Sequence, residues 1–246
     1  MCCLILTHPH PPRQHSSRKF CYTWRMVFQV LPSILAADYG SLAGEIRRAE
    51  ASGADALHLD IMDAHFVPNL SFGPDVVALS RRVAPSFFRH VHLMLTRLDL
   101  YIEPFATAGA QTIQIHVEAD CDLHVELPRI RALGLRAALA INPETPAEAA
   151  FPYLGLCDEV LVMTVHPGYG GQSFIVDCLP KISVLRRRAP ELDIMVDGGI
   201  NAETAILAAQ AGANQLVAGS YLFKQSDMAA AVAALRQDCA ASFLRP

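Results

Sequence analysis

Eight short apolar runs, each set off from the next by intervening chain, dominate the sequence after about residue 26. They span 27–35, 56–62, 87–95, 112–117, 136–141, 159–165, 193–197 and 215–219, and they read as buried strands. Helical patterns lie between them at 42–51, 98–108, 123–133, 180–188, 203–211 and 228–243. Three of these helices end in a small residue followed by Gly-Ala: Ser52-Gly53-Ala54, Ala108-Gly109-Ala110 and Ala211-Gly212-Ala213. Glycine there supplies a left-handed helix cap. Strands that alternate with helices pair in parallel through crossovers. Eight such strands in a chain of this length predict a single closed (β/α)₈ TIM barrel. An open doubly wound sheet is the competing arrangement. It would carry a G-x-G-x-x-G turn after the first strand, where this chain has Ser33-Ile34-Leu35-Ala36-Ala37-Asp38.

Residues 1–26 stand apart from the 27–246 barrel domain. They hold Pro9, Pro11, Pro12 and the basic residues Arg13, Arg18, Lys19 and Arg25, and the first acid of the chain is Asp38. That composition suits an organelle transit segment or an extension upstream of a start at Met26, and in either case it is set aside from the fold. Across the whole chain 20 basic residues meet 24 acidic ones, a net charge of −4. No nucleic-acid partner is expected from this balance. No apolar run approaches the roughly 18 residues of a membrane span, so no membrane partner is expected either. The location expected is cytoplasmic, with organelle targeting as the alternative. Seven cysteines, an odd number without C-x-x-C spacing, predict neither a disulfide framework nor a cysteine zinc site.

A barrel carries its active site at the C-terminal ends of its strands. The second strand ends His58-Leu59-Asp60-Ile61-Met62-Asp63. With period two, His58, Asp60 and Met62 share one face and Leu57, Leu59 and Ile61 the other. The apolar set suits the helix layer, so the polar set faces the lumen. The third strand repeats the arrangement with His90, His92 and Met94 inward, and the seventh ends at Asp197. Thus His58, Asp60, His92 and Asp197 converge on one end of the barrel. A self-satisfying His-Asp network is one reading of such a set. Four groups on three strand ends favour a divalent metal, because the ion supplies the countercharge that buried carboxylates need. Two nitrogens and two oxygens suit zinc, iron(II), manganese or cobalt. Met62 and Met94 point inward beside these ligands and Met163 lies near the end of the sixth strand. The three read as core filler or as the lining of a dry pocket.

Glycines cluster in three consecutive loops: Gly168-Tyr169-Gly170-Gly171 after the sixth strand, Gly198-Gly199 after the seventh and Gly219-Ser220 after the eighth. Loops after strands seven and eight form the usual phosphate site of a barrel. No lysine or arginine stands out there, so backbone amides and the Ser220 hydroxyl are expected to hold the anion.

Several stretches together resemble the ribulose-phosphate 3-epimerases. They are residues 31–38 (LPSILAAD), 58–69 (HLDIMDAHFVPN), 91–94 (VHLM), 101–105 (YIEPF), 116–119 (HVEA), 162–172 (VMTVHPGYGGQ) and 196–199 (VDGG), and they extend the likeness from about Gln29 onward. The resemblance implies a barrel enzyme that interconverts D-ribulose 5-phosphate and D-xylulose 5-phosphate in the pentose phosphate pathway. It implies that His58, Asp60, His92 and Asp197 hold the metal, with Asp60 and Asp197 as the catalytic acid/base pair. Ser33, His92 and Asp197 contact substrate, and Gly168 to Gly171, Gly198-Gly199 and Gly219-Ser220 hold the phosphate. A homo-oligomer acting on a small phosphosugar is expected. One departure is Ala64, where the family pattern has glycine. If that position needs positive φ, alanine costs about 1 kcal/mol there.

The groups also define a reaction. An ion that polarises the C2 ketone makes the C3 hydrogen removable. One aspartate takes it and the other returns a proton to the opposite face, inverting the centre. Phosphosugar decarboxylases on the same fold resemble D-x-K-x-x-D at the second strand, but Met62 stands at the lysine position here. Epimerases of other ketose phosphates, such as allulose 6-phosphate, are a closer alternative. A barrel that binds without catalysis would be marked by loss of one of the four ligands, and none is lost.

Overall fold

The computed structural model describes residues 28–243, and the proposed N-terminal extension lies outside the described residues. Eight parallel strands form one sheet: β1 (Gln29–Pro32), β2 (Ala56–Met62), β3 (Phe88–Met94), β4 (Thr112–His116), β5 (Arg136–Ile141), β6 (Glu159–Met163), β7 (Asp193–Asp197) and β8 (Gln215–Ala218). The hydrogen-bonded order β1-β8-β7-β6-β5-β4-β3-β2 brings the first strand round to the second. There the Asp55 N–H donates to Val30 O at 3.0 Å, the Val30 N–H donates to the Asp55 carboxylate at 2.8 Å, and Ser33 bridges His58 in parallel register. The chain is the expected (β/α)₈ barrel.

The crossovers are α1 (Leu42–Ala51), α2 (Pro74–Val83), α3 (Leu98–Ala108), α4 (Leu123–Ala132), α5 (Leu179–Arg188) and α6 (Ala202–Ala211), followed after β8 by α7 (Ser220–Phe223) and α8 (Met228–Ser242). Between β5 and β6 the crossover is a 3₁₀ segment, Ala147–Tyr153, which carries Pro152 within it. The left-handed caps fall where the Gly-Ala pairs predict them, with Gly109 at φ 114° and Gly212 at φ 117°. Asn201 starts α6 with a capping box shared with Thr204. Helix α2 lies outside the helical patterns singled out in the sequence, and among the strands the largest departure is at β1. Its strand stops at Pro32, because Ser33 caps a 3₁₀ turn, Ile34–Ala36, instead of continuing the ladder. The other boundaries shift by no more than two residues.

Period two holds in β2 and β3. Leu57, Leu59, Ile61, Val91 and Leu93 join the cluster packed beneath the helices. Each such side chain contributes roughly 1.5–3 kcal/mol by leaving water. The lumen is layered. Near its N-terminal end His90 Nδ1 lies 3.2 Å from Glu159 Oε1, and Gln114 donates to the same oxygen at 2.8 Å. Leu31, Ala140, Leu161 and Met195 fill the level above. Register then sets the top level: Asp60 stands opposite His92, and Met163 opposite Asp197. Among the described residues no helix is long and apolar enough to cross a membrane.

Candidate active site

The C-terminal mouth of the barrel opens into a cavity of about 290 Å³. Asp60 and Asp197 form part of its floor, with Ser33, Met62, Met94 and Met163 beside them. All of the glycines singled out in the β6, β7 and β8 loops border it, as do Tyr169 and Ser220. His58 and His92 lie beneath the floor, each fully buried. His92 therefore does not border the cavity, which separates it from the expected substrate contacts. Both of its ring nitrogens face other side chains.

Asp60 is the hub. Its Oδ1 lies 3.1 Å from His58 Nε2 and 3.1 Å from His92 Nδ1. Its Oδ2 accepts from the Ser33 hydroxyl at 2.6 Å. Asp197 Oδ2 stands 3.7 Å from the same His58 Nε2. Each of the four residues offers an atom within 4.8 Å of the others. Ligand atoms on a tetrahedral ion with bonds of about 2.0–2.2 Å stand roughly 3.3–3.6 Å apart, so the spacing fits a first-row divalent cation. The chemistry fits too: two buried imidazoles, a buried carboxylate and the partly exposed Asp197 carboxylate gather where a positive charge would be favoured.

The two carboxylates are not equivalent. Burial alone would raise Asp60, but the charge and hydrogen bond of His58 and the hydrogen bond of His92 outweigh it and hold the group below the usual carboxylate range. Burial and the neighbouring Asp60 charge push Asp197 up to about 7, with His58 opposing. In the metal-free protein the two carboxyls therefore differ in their hold on a proton. Burial, with the nearby His116 as a further contributor, takes His92 down to about 4 against the hydrogen bond of Asp60, which keeps its imidazole neutral.

At the anion end the backbone itself does the shaping. Gly198 has φ 121°, and a Cβ there would meet Val165 Cγ2 at 2.4 Å. Gly199 has φ 65°, and a Cβ there would sit 2.4 Å from the Phe174 nitrogen. Only glycine lets these loops pack so closely. The glycine loops themselves carry no lysine or arginine, as the sequence indicates, but Lys224, which follows α7, also borders the cavity. No helical or strand periodicity marks a residue just beyond a four-residue helix.

In the loop after β2 the sequence singles out Ala64 but not the role of Asp63. Asp63 accepts from Thr96 N–H and hydroxyl at 2.7 Å, and from His65 and Phe66 N–H at 2.8 Å. Burial opposes the shift, but those four donors bring its carboxyl down to about 2. Ala64, next in line, has φ 62°, the one non-glycine residue with positive φ among those described.

Comparison with known proteins agrees with this geometry. Residues 29–223 match the model of the "Ribulose-phosphate 3 epimerase family". The chain is 45% identical to ribulose-phosphate 3-epimerase of Bacillus subtilis over 215 residues, covering 85% of this chain and 99% of that protein. It is 42% identical to the cytoplasmic isoform of rice over 213 residues, covering 85% and 92%. Among solved structures, a 3-hexulose-6-phosphate synthase from Salmonella typhimurium aligns with TM-score 0.65 at 13% identity, covering 87% of this chain and 99% of that chain. KGPDC from Streptococcus mutans aligns with TM-score 0.63 at 13% identity, covering 87% and 97%. At such identities the structural likeness shows the barrel alone. The sequence match is of another order, spans the strands that carry every site residue, and places the chain in the ribulose-phosphate 3-epimerase family.

Proposed function

We infer that the chain is a ribulose-phosphate 3-epimerase, an isomerase that inverts C3 between D-ribulose 5-phosphate and D-xylulose 5-phosphate. One observation carries the mechanism: Asp60 and Asp197 reach one cavity floor from different strands, on either side of His58. His58, Asp60, His92 and Asp197 would hold the divalent ion, whether zinc, iron(II), manganese or cobalt. When bound it supplies Lewis-acid polarisation of the ketone and countercharge for the ene-diolate.

The residues do the rest. Asp60, ionised and fixed by the Ser33 hydroxyl at 2.6 Å, removes the C3 proton. Asp197, across the cavity floor from Asp60, delivers a proton to the other face of the flattened carbon. The reverse reaction exchanges the roles. Met62, Met94 and Met163 surround the reacting carbon with groups that neither donate nor accept protons, which keeps the intermediate from being quenched on the wrong face. The β6, β7 and β8 loops hold the phosphate with backbone N–H groups and Ser220.

The test is an assay of purified protein against a panel of ketose phosphates, with elemental analysis of the same sample. Interconversion of the two pentulose phosphates with about one divalent ion per chain is expected. Preference for a different ketose phosphate would overturn the substrate, and full activity in metal-free protein would overturn the ion.

A further inference from the structure

A line of polar contacts continues from His92 away from the cavity. His92 Nε2 lies 2.8 Å from His116 Nε2, and the two rings stack with centroids 4.9 Å apart. His116 Nδ1 lies 2.9 Å from Glu118 Oε2. The other carboxylate oxygen, Oε1, accepts from the Asn142 N–H at 2.8 Å and from the Thr145 hydroxyl. Both imidazoles are fully buried, and Glu118 is partly buried behind them. Epimerisation as derived above uses neither His116 nor Glu118.

Counting protons along this line fixes the tautomers. A carboxylate only accepts. Burial works to raise the Glu118 carboxyl, but the hydrogen bonds of His116, Thr145 and the Asn142 N–H hold it below the usual range, so it is ionised. His116 Nδ1 is therefore the donor of the contact with Glu118, and when the ring carries that one proton its Nε2 is an acceptor. His92 must supply the proton between the two rings, from its own Nε2. That leaves His92 Nδ1 a bare lone pair, 3.1 Å from Asp60 Oδ1. A divalent ion seated between these two acceptors would use both lone pairs, whereas without it the contact is a hydrogen bond only if a proton shifts to Nδ1.

We propose that Glu118, acting through His116, is a positioning residue that locks His92 in the Nε2–H tautomer and so presents His92 Nδ1 as a ligand to the divalent ion. The inference rests on the metal reading of the site given above. Carboxylates that orient a ligating histidine change metal affinity by roughly 10–100-fold when removed. Here the orienting signal passes through a second imidazole. His58 has no such partner: its Nδ1 is buried and without a hydrogen bond among the described residues. His92 is thus the ligand whose chemistry depends on its surroundings.

Glu118→Gln tests this, because the surroundings dictate how the amide must sit. The Asn142 N–H needs an oxygen, so the amide NH₂ turns to His116 Nδ1. His116 then carries its proton on Nε2, and His92 is left protonated on Nδ1, the nitrogen the ion needs. The full chain, stripped by chelation, is titrated with Co(II) and followed by visible absorption, with nitrogen-15 NMR of the imidazoles on the metal-free sample. Wild-type protein should show His116 protonated on Nδ1. Glu118→Gln should show it on Nε2, bind Co(II) roughly 10–100-fold more weakly and melt within a few degrees of wild type. Thr145→Val keeps the carboxylate and loses one donor to it, so it should retain the Nδ1–H signal and most of the affinity. Wild-type affinity in Glu118→Gln overturns the proposal. So does a wild-type His116 protonated on Nε2, which needs no variant to fold. Failure of wild type to bind Co(II) removes the metal reading alone, since the His116 tautomer in the same metal-free sample still decides the relay.

Discussion

The Tyr169 hydroxyl donates to the Pro68 carbonyl at 2.7 Å and ties the loop after β6 to the loop after β2, strands that stand on opposite sides of the barrel. The Asn69 side chain reinforces the tie by donating to the Gly168 carbonyl at 2.6 Å. The same β2 loop sends Phe66 against the cluster of Met62 and Met94. The β6 side of this strap, Gly168 and Tyr169, borders the cavity, so the ties set how that wall is held against the substrate. Removing both ties, with Tyr169→Phe and Asn69→Ala, should raise KM for the phosphosugar by up to about 30-fold, two net hydrogen bonds of about 1 kcal/mol each contributing about 2 kcal/mol. Melting should move by less than about 4 °C, because the strap lies outside the core. An unchanged KM in the double variant would remove the strap from the mechanism.

Ala64 holds a left-handed backbone, φ 62°, at an exposed position. The strain comes from its Cβ, and glycine relieves it without loss of packing. Ala64→Gly should stabilise the protein by about 1 kcal/mol, which in a domain of this size raises the melting temperature by roughly 2–4 °C. A lower melting temperature would mean that the methyl group has contacts that outweigh its strain.

Lys224 is exposed and borders the cavity at the side of the glycine loops. Lys224→Gln should raise KM severalfold at low ionic strength with little change in kcat. The gap between variant and wild type should close near 1 M salt, where the screening length falls to about 3 Å. A salt-independent KM difference would mean that Lys224 shapes the loop and does not attract the phosphate.

What the sequence reveals and what it withholds follow physical lines. Period two is a local property, so it places His58, Asp60, His92 and Met62 on the lumen face correctly, and strand ends place Asp197. Glycine pairs mark the anion loops because close backbone approach demands them. Pairwise roles are a different matter. His116 and Glu118 share a face by the same count, but their use depends on a 2.8 Å approach to His92 on the neighbouring strand, 24 residues earlier. Tyr169 meets Pro68 across 101 residues, and no local pattern encodes that contact. Ser33 falls within the predicted first strand, and only the closure of β1 on β2 shows why its hydroxyl turns to Asp60.

Stability of the metal-free protein should carry the signature of Asp197. Its folded-state pKa is raised to about 7 by burial and by Asp60, against about 3.9 for an unperturbed aspartate. The folded state therefore binds this proton more tightly than the unfolded chain. Stability from this group is fully present below the unfolded pKa and is lost as pH rises through 7. Above that pH the ionised group destabilises the fold by a few kcal/mol, and replacing it with neutral Asn removes the effect. Metal-free Asp197→Asn should melt about 4 °C or more above metal-free wild type at pH 8, with the gap shrinking toward pH 5. Equal melting at both pH values would show that Asp197 is not the strained carboxyl.

The assignment of two bases makes the sharpest demand. If Asp60 and Asp197 serve opposite faces of C3, wild-type turnover in deuterated water should place deuterium at C3 of the product, because the returning proton comes from an exchanged acid. Replacing either aspartate by asparagine keeps its shape and removes one proton carrier. Epimerisation should fall by roughly 10²- to 10⁴-fold, the usual contribution of a general acid or base. The surviving aspartate can still remove and return a proton on its own face. Each variant should therefore exchange C3 hydrogen for deuterium in one of the two sugars without inverting it, and the two variants should choose opposite sugars. A single shared base would give a different pattern, since one variant would lose all exchange and the other would keep it for both sugars. Both aspartates also belong to the ligand set, so loss of the ion is the competing cause of any fall in rate. Metal content measured on each variant separates the two causes, because a metal-replete variant that exchanges one sugar without inverting it has lost a proton carrier and nothing else. Near-normal epimerisation in a metal-replete variant of either aspartate would end the two-base mechanism.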